Sequence, residues 1–330
     1  MSQNGARFNG DKQGSAGIAA PIGGQPPNPR DIWARMKGRD VSLSVKHISR
    51  ERPVLIAGPT ASGKSALASE IAARDGRVVV NADALQVYAQ WRVLTARPSR
   101  ADEAAIPHAL YGHVAHDQTY SVGHWLREVQ NQLDRPVVIV GGTGLYFAAL
   151  TKGLAAIPAT PAGLRQLADA RVRAEGHLAL LAELDAATVA RIDGANPVRV
   201  QRAWEVLHAT GEGLAVWQDR TGPAILPLHA CDAVVIMPDV AWLNARIDAR
   251  FGAMIAAGAL DEARAALPHW SADQPWARAI GAPELIAHLR GDIGLDTAVQ
   301  AATLASRQYA KRQRTWFRSQ MKDWRQINVP

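Results

Sequence analysis

The chain has 330 residues, a net charge of +7, an apolar content of 48% and one cysteine. That length supports one large domain or two moderate ones with a sizeable core. The single cysteine excludes an intrachain disulfide framework and a cysteine-built zinc site, and no apolar run approaches the ~18–20 residues of a membrane helix.

Residues 1–50 form the expected disordered extension. Residues 1–30 are rich in Gly, Pro, Gln and Asn, with few large apolar side chains to bury. The start lacks the charged-then-apolar pattern of a signal peptide, so a reducing, cytoplasmic setting is expected. Cys231 then reads as a small buried residue. The folded part is expected from Glu51.

Pro53-Val54-Leu55-Ile56-Ala57 reads as a buried strand, and Ala66 to Ala73 as a helix. Between them stand Gly58, Pro59, Thr60, Ala61, Ser62, Gly63, Lys64 and Ser65, which fit the G-x-x-x-x-G-K-[ST] phosphate-binding pattern. Strand, glycine-rich turn and helix together aim backbone N–H groups and a helix N-terminus at an anion. Lys64 reaches the far phosphate, and the Ser65 hydroxyl is placed to hold Mg²⁺. The pattern specifies a nucleotide- or diphosphate-binding seat without naming the ligand.

Arg77 to Val80, Pro136 to Val140 and Ala233 to Ile236 are three further β-branched runs, with a helix expected from Gly123 to Leu133. Strands alternating with helices predict an α/β fold with a parallel sheet covered on both faces. Ligands of such sheets sit at the carboxyl ends of the strands. Three polar segments fall there: the phosphate loop, Asn81 to Tyr88, and Gly141-Gly142-Thr143-Gly144-Leu145-Tyr146. Asp83 either holds a metal or acts as a general base, or else caps a helix. The glycine-rich turn with Thr143 is a second polar wall, a tight strand-to-helix connection, or both.

Residues 161–222 are Ala-, Leu- and Arg-rich and helix-periodic, and read as a helical insertion in a core of residues 51–160 and 223–330. Within the insertion, Asn196 suits a helix cap and Pro197 the first turn. Arg246 and Arg250 reach the phosphate cleft or form surface pairs. From Trp242 onward the chain reads as helical throughout. Six of the seven net positive charges fall in residues 301–330. Arg307, Lys311, Arg314 and Arg318 fall on one helix face, a footprint for a polyanion or a solvated face. Ala305, Tyr309, Arg312 and Trp316 line a neighbouring stripe.

Several motifs in order carry a resemblance. They are GPTASGKS at 58–65, DALQVY at 83–88, TARP at 95–98, YSVGHW at 120–125, PVVIVGGTGLY at 136–146, NPVRVQRAWEVL at 196–207, RAIG at 278–281 and KRQRTWFR at 311–318. The chain resembles the tRNA dimethylallyltransferases over nearly everything from Glu51 to Arg325. The resemblance implies transfer of a dimethylallyl group from dimethylallyl diphosphate to N6 of adenosine 37 of tRNA, with the phosphate loop holding the diphosphate. It implies Asp83 as general base, with Lys64 and Thr143 beside it as catalytic residues. Thr60, Lys64 and Ser65 would hold the diphosphate, with Mg²⁺ at Ser65. Thr143 and Arg165 would sit near the target nucleotide. Contacts to tRNA would come from Asp83, Ala84, Leu85 and Gln86, from Val198, Arg199, Val200, Gln201 and Arg202, from Arg278, Ala279, Ile280, Gly281, Ala282 and Pro283, and from Lys311, Arg312, Gln313, Arg314, Thr315, Trp316, Phe317 and Arg318. The insertion would grip the anticodon stem-loop, and a cytoplasmic monomer is implied. The chain departs from the family pattern at Ala84, at Gln90 to Thr95 and at Ala282-Pro283-Glu284. A small-molecule phosphate-loop kinase and a non-catalytic tRNA-binding relative are the alternatives.

Overall fold

The computed structural model describes residues 48–329, so nearly all of the expected N-terminal extension lies outside the described residues. Six strands form one parallel sheet in the order β3-β2-β4-β1-β5-β6. They are β1 (Val54–Ala57), β2 (Val78–Asn81), β3 (His108–Ala109), β4 (Val137–Gly141), β5 (Asp232–Pro238) and β6 (Arg325–Val329). The sheet is built from period-two alternation. Leu55, Val80, Ile139 and Val235 enter a core on one face with Trp125, Phe147, Phe317 and Trp324. Ile56, Val79, Val138 and Ile236 enter the other with Leu67 and Ile71. These last two belong to α1 (Lys64–Asp75).

Beyond it come α2 (Arg100–Ala105), α3 (Val122–Gln130) and α4 (Gly144–Lys152). The four expected strands are all present. β6 corrects the expectation that everything after Trp242 is helical. It pairs with β5 in register from Val234↔Arg325 to Pro238↔Val329, and only Ile327 and Val329 in it are well buried. Pairing to a neighbour, more than local propensity, makes it a strand.

Between β4 and β5 the chain forms α5 (Ala162–Glu175), α6 (His177–Leu181), α7 (Ala186–Val189), α8 (Pro197–Thr210) and α9 (Leu214–Asp219). Ala168, Leu180, Val200 and Trp204 give this group its own small core. The Asn196 side chain accepts from the N–H groups of Val198 and Arg199, with Pro197 in the first turn of α8.

After β5 follow α10 (Val240–Ala256), α11 (Ala259–Ala266), α12 (Ala282–Leu289) and the 26-residue α13 (Leu295–Gln320). They close over Trp91 and Trp276, both fully buried, in a third cluster that also holds Leu94, Phe251 and Met254. Among the described residues no helix is long and apolar enough to cross a membrane.

Candidate active site

The phosphate loop rises from the carboxyl end of β1 and feeds α1. Two of its residues are left-handed, Ala61 at φ 62° and Gly63 at φ 89°. A Cβ on Gly58 would lie 2.7 Å from Ser62 Oγ, so the loop closes tightly only on a glycine. Ser62 Oγ is buried and has no protein partner. An orphaned hydroxyl inside a cradle of N–H groups fits a phosphate oxygen. Lys64 Nζ donates to the Pro59 carbonyl at 3.2 Å. Arg246 Nε donates to the Ala61 carbonyl at 2.9 Å and its guanidinium stacks on Trp242, so this arginine braces the loop from behind.

Sheet order sets the next wall. β4 lies between β2 and β1, so the turns after all three strands stand side by side. Asn81 shapes the turn after β2: its Oδ1 accepts from Asp83 N at 2.8 Å, and its Nδ2 donates to Asp83 O at 2.9 Å. Asp83 Oδ1 accepts from Leu85 N at 3.0 Å, so the carboxylate caps its own turn while also lining the cleft. Thr143 Oγ1 accepts from Ala84 N at 2.9 Å. The hydroxyl therefore anchors the Asp83 turn through a backbone group, and the alanine at 84 retains that group. The sequence places Asn81 in a polar segment without a role of its own, although a polar residue at the end of a β-branched run signals the turn it shapes.

Gln313 joins the walls. Its Oε1 accepts from Thr60 N at 2.9 Å, and its Nε2 donates to Gly142 O at 2.9 Å. The side chain is buried and staples α13 to the phosphate loop and to the turn after β4. This corrects its expected place at an RNA surface.

One cleft of about 670 Å³, open mouth included, unites these parts. Its lining is mixed: Thr60, Lys64, Asp83, Gln86, Thr95, Arg250, Ser306 and Tyr309 are polar, whereas Leu94, Phe251 and Met254 pack in one apolar cluster and Ile247 packs with Ala61 of the loop. Ile247, Arg250, Phe251 and Met254 recur at helical spacing on one face of α10. Burial lowers the Lys64 ammonium to about 8, with Asp83 opposing that shift and Arg250 adding to it. Burial likewise brings Arg250 down to about 10, again opposed by Asp83. The Tyr309 phenol, also at the cleft, is raised by burial and then by Asp83. Arg250 thus belongs to the cleft, whereas Arg246 only supports it.

The other expected RNA contacts divide by exposure. Val198, Arg199, Arg278, Pro283, Lys311, Arg312, Thr315 and Arg318 are exposed. Val200, Ala279, Gly281, Ala282 and Phe317 are buried, which corrects their expected role: they offer no surface to a partner. Leu85, Gln86 and Ile280 line the cleft itself. In the insertion, Arg165 and Arg202 both lie 3.7 Å from the buried Glu205, and Gln201 bonds Asp169 and Glu205. The expected row of four cations is uneven. Arg307 is bound by Asp248 and Arg314 is half-buried, leaving Lys311 and Arg318 projecting. Trp316 is half-buried, its ring 2.2 Å from where a Cβ on Gly144 would sit.

The departures from the family pattern have physical substitutes. Glu262 accepts from the N–H groups of Arg92, Val93 and Leu94 at 2.8–3.0 Å, holding the turn over 90–95 without a glycine. Trp91 Nε1 donates to Trp276 O at 2.8 Å, anchoring that turn in the core. Glu284 accepts from Gly281 N at 3.1 Å and Pro283 occupies the first turn of α12.

Among the described residues no group of three or more His, Cys, Asp or Glu side chains could hold a metal. Mg²⁺ is commonly held by one or two protein oxygens together with substrate phosphates. Ser65, exposed in the first turn of α1, fits that arrangement as the protein oxygen.

Residues 86–320 match a family model described as IPP transferase, and residues 52–106 one described as isopentenyl transferase. A tRNA dimethylallyltransferase of Cereibacter sphaeroides is 65% identical, over 86% of this chain and 91% of its own. The tRNA dimethylallyltransferase of Dinoroseobacter shibae is 62% identical over 84% and 95%. Among solved structures, the tRNA isopentenylpyrophosphate transferase of Bacillus halodurans is 28% identical over 84% of this chain and 90% of that one, at a TM-score of 0.59. A eukaryotic dimethylallyltransferase acting on tRNA aligns at a TM-score of 0.70 and 21% identity over 84% and 74%, a likeness of fold.

Proposed function

The chain belongs to the IPP transferase family of tRNA dimethylallyltransferases, and from that premise we infer that it transfers a dimethylallyl group from dimethylallyl diphosphate to N6 of adenosine 37 in tRNA. The observation that carries this reading is one cleft lined both by phosphate-binding and by apolar side chains. Lys64, Thr60 and Arg250 line it with groups suited to a diphosphate, Leu94, Phe251 and Met254 with apolar side chains from one cluster, and Asp83 with a carboxylate. A hydrophilic phosphoryl acceptor, as in a small-molecule kinase, has no use for the apolar wall.

The chemistry is a substitution at carbon 1 of the prenyl group. The N6–C1 bond forms, the C1–O bond breaks, and diphosphate leaves with the electron pair. Asp83 takes the proton from N6. Negative charge grows on the leaving oxygens, where Lys64, Arg250 and the N–H groups of the loop stabilise it. The Ser65 hydroxyl would hold Mg²⁺, which would supply further neutralisation of the diphosphate. The adenine is extruded from its stack to reach Asp83. Thr143 holds the turn that aims the carboxylate.

Incubation of the protein with labelled dimethylallyl diphosphate, Mg²⁺ and unmodified tRNA tests the reading. Label is expected on a single adenosine beside the anticodon. Tight tRNA binding with no label transfer would favour the non-catalytic alternative.

A further inference from the structure

The apolar cluster that lines the cleft is backed by main chain as well as by side chains. Phe251 is 3% exposed and Leu94 is 4% exposed, although both line the cleft. Gly281 stands behind them at φ 93°. A Cβ on it would lie 2.6 Å from Phe251 Cε2 and 2.9 Å from Leu94 Cδ1. The phenyl ring therefore rests against a backbone that cannot give way, and a close-packed core resists insertion of extra carbons. Beyond it the fully buried Trp91 and Trp276 fill the same cluster.

The face of α10 gives the cleft its direction. Ile247 shares a cluster with Ala61 of the phosphate loop. Phe251 lies one turn on and Met254 about two, so ~10 Å of helix separates Ile247 from Met254. A donor held by its diphosphate at the loop points its hydrocarbon along this face toward Phe251. We propose that Phe251, backed by Gly281 and Leu94, is the chain-length stop that admits a five-carbon allylic diphosphate and rejects a ten-carbon one.

This rests on the reading of the cleft as a prenyl-diphosphate site, and the bond changes are the same for either donor. The test compares dimethylallyl and geranyl diphosphate as donors to unmodified tRNA, using the wild type, Phe251→Ala and Met254→Ala. The readout is the ratio of kcat/KM for the ten-carbon donor over the five-carbon donor, with folding checked by circular dichroism. The wild type is expected to transfer the five-carbon group and reject the longer one. Phe251→Ala should raise the ratio at least about tenfold, the scale on which apolar pockets discriminate by size. Met254→Ala, at the less buried side, should raise it less. A wild type that uses both donors equally overturns the proposal, as do folded variants that keep the wild-type ratio. If Phe251→Ala does not fold, Met254→Ala and the wild-type ratio decide the matter. A wild type that transfers neither group overturns the proposed function instead.

Discussion

Asp83 holds its turn and faces the cleft with one carboxylate, and the two tasks can be separated. Asn at 83 keeps an oxygen for Leu85 N–H but cannot take a proton at neutral pH. Asp83→Asn is therefore expected to lower kcat about 10²–10⁴-fold with little change in tRNA affinity, read by single-turnover transfer and filter binding. Unchanged turnover would remove the base assignment. Lys64 gives a pH signature. Its ammonium is charged below about 8 and neutral above, so inorganic diphosphate binding should weaken as pH rises through that value. A single group limits the slope to about tenfold per pH unit. Lys64→Met should abolish this step while leaving any titration of diphosphate itself, and a step that survives in the variant belongs to another group. The placement of the loop, Asp83 and Thr143 at strand ends was legible because their offsets are tied to the strands, whereas the residues alone left the roles of Asp83 and Thr143 open. Arg250 was left open: its position on α10 is visible in the sequence, but which face meets the cleft depends on packing.

At the scale of elements, α13 was the hardest to read. The resemblance implied that the whole KRQRTWFR run contacts tRNA, yet a helix alternates faces within every turn. Gln313 and Phe317 lie four apart on the inner side, and both are buried. A polar residue on an apolar stripe was the available signal, because buried amides persist where they find partners. Gln313→Leu should leave Thr60 N–H and Gly142 O without their partners and cost ~1–3 kcal/mol for each group left unsatisfied. Its readout is a lower melting midpoint together with a raised KM for the allylic diphosphate. Full recovery of that KM in Gln313→Glu would weaken the staple, since a carboxylate can accept from Thr60 N–H but cannot donate to Gly142 O. The central strands were legible because runs of Val and Ile buried on both faces have few other uses. β3, with two residues, and β6, with charged flanks, take their structure from neighbours.

For the whole molecule, net charge is a statement about partners and says nothing of fold. The formal +7 already subtracts the carboxylates and does not say which cations face an RNA: the guanidinium groups of Arg307, Arg191, Arg220 and Arg171 are bound to carboxylates. Lys311 and Arg318 project from α13, whereas Arg307 on the same helix donates through Nε to Asp248 at 2.9 Å. A phosphate contact releases condensed counterions, so each one lost reduces the salt slope of binding by ~0.7–0.9. Lys311→Ala and Arg318→Ala are each expected to weaken tRNA binding and to reduce the slope of log K against log salt by about that amount. Arg307→Ala should do so far less, because its charge is neutralised before RNA arrives. Titrations of labelled tRNA across a salt series give all three slopes. If Arg307→Ala costs as much slope as Lys311→Ala, RNA opens the Arg307–Asp248 pair, and the interface extends along α13 toward α10 and the donor cleft.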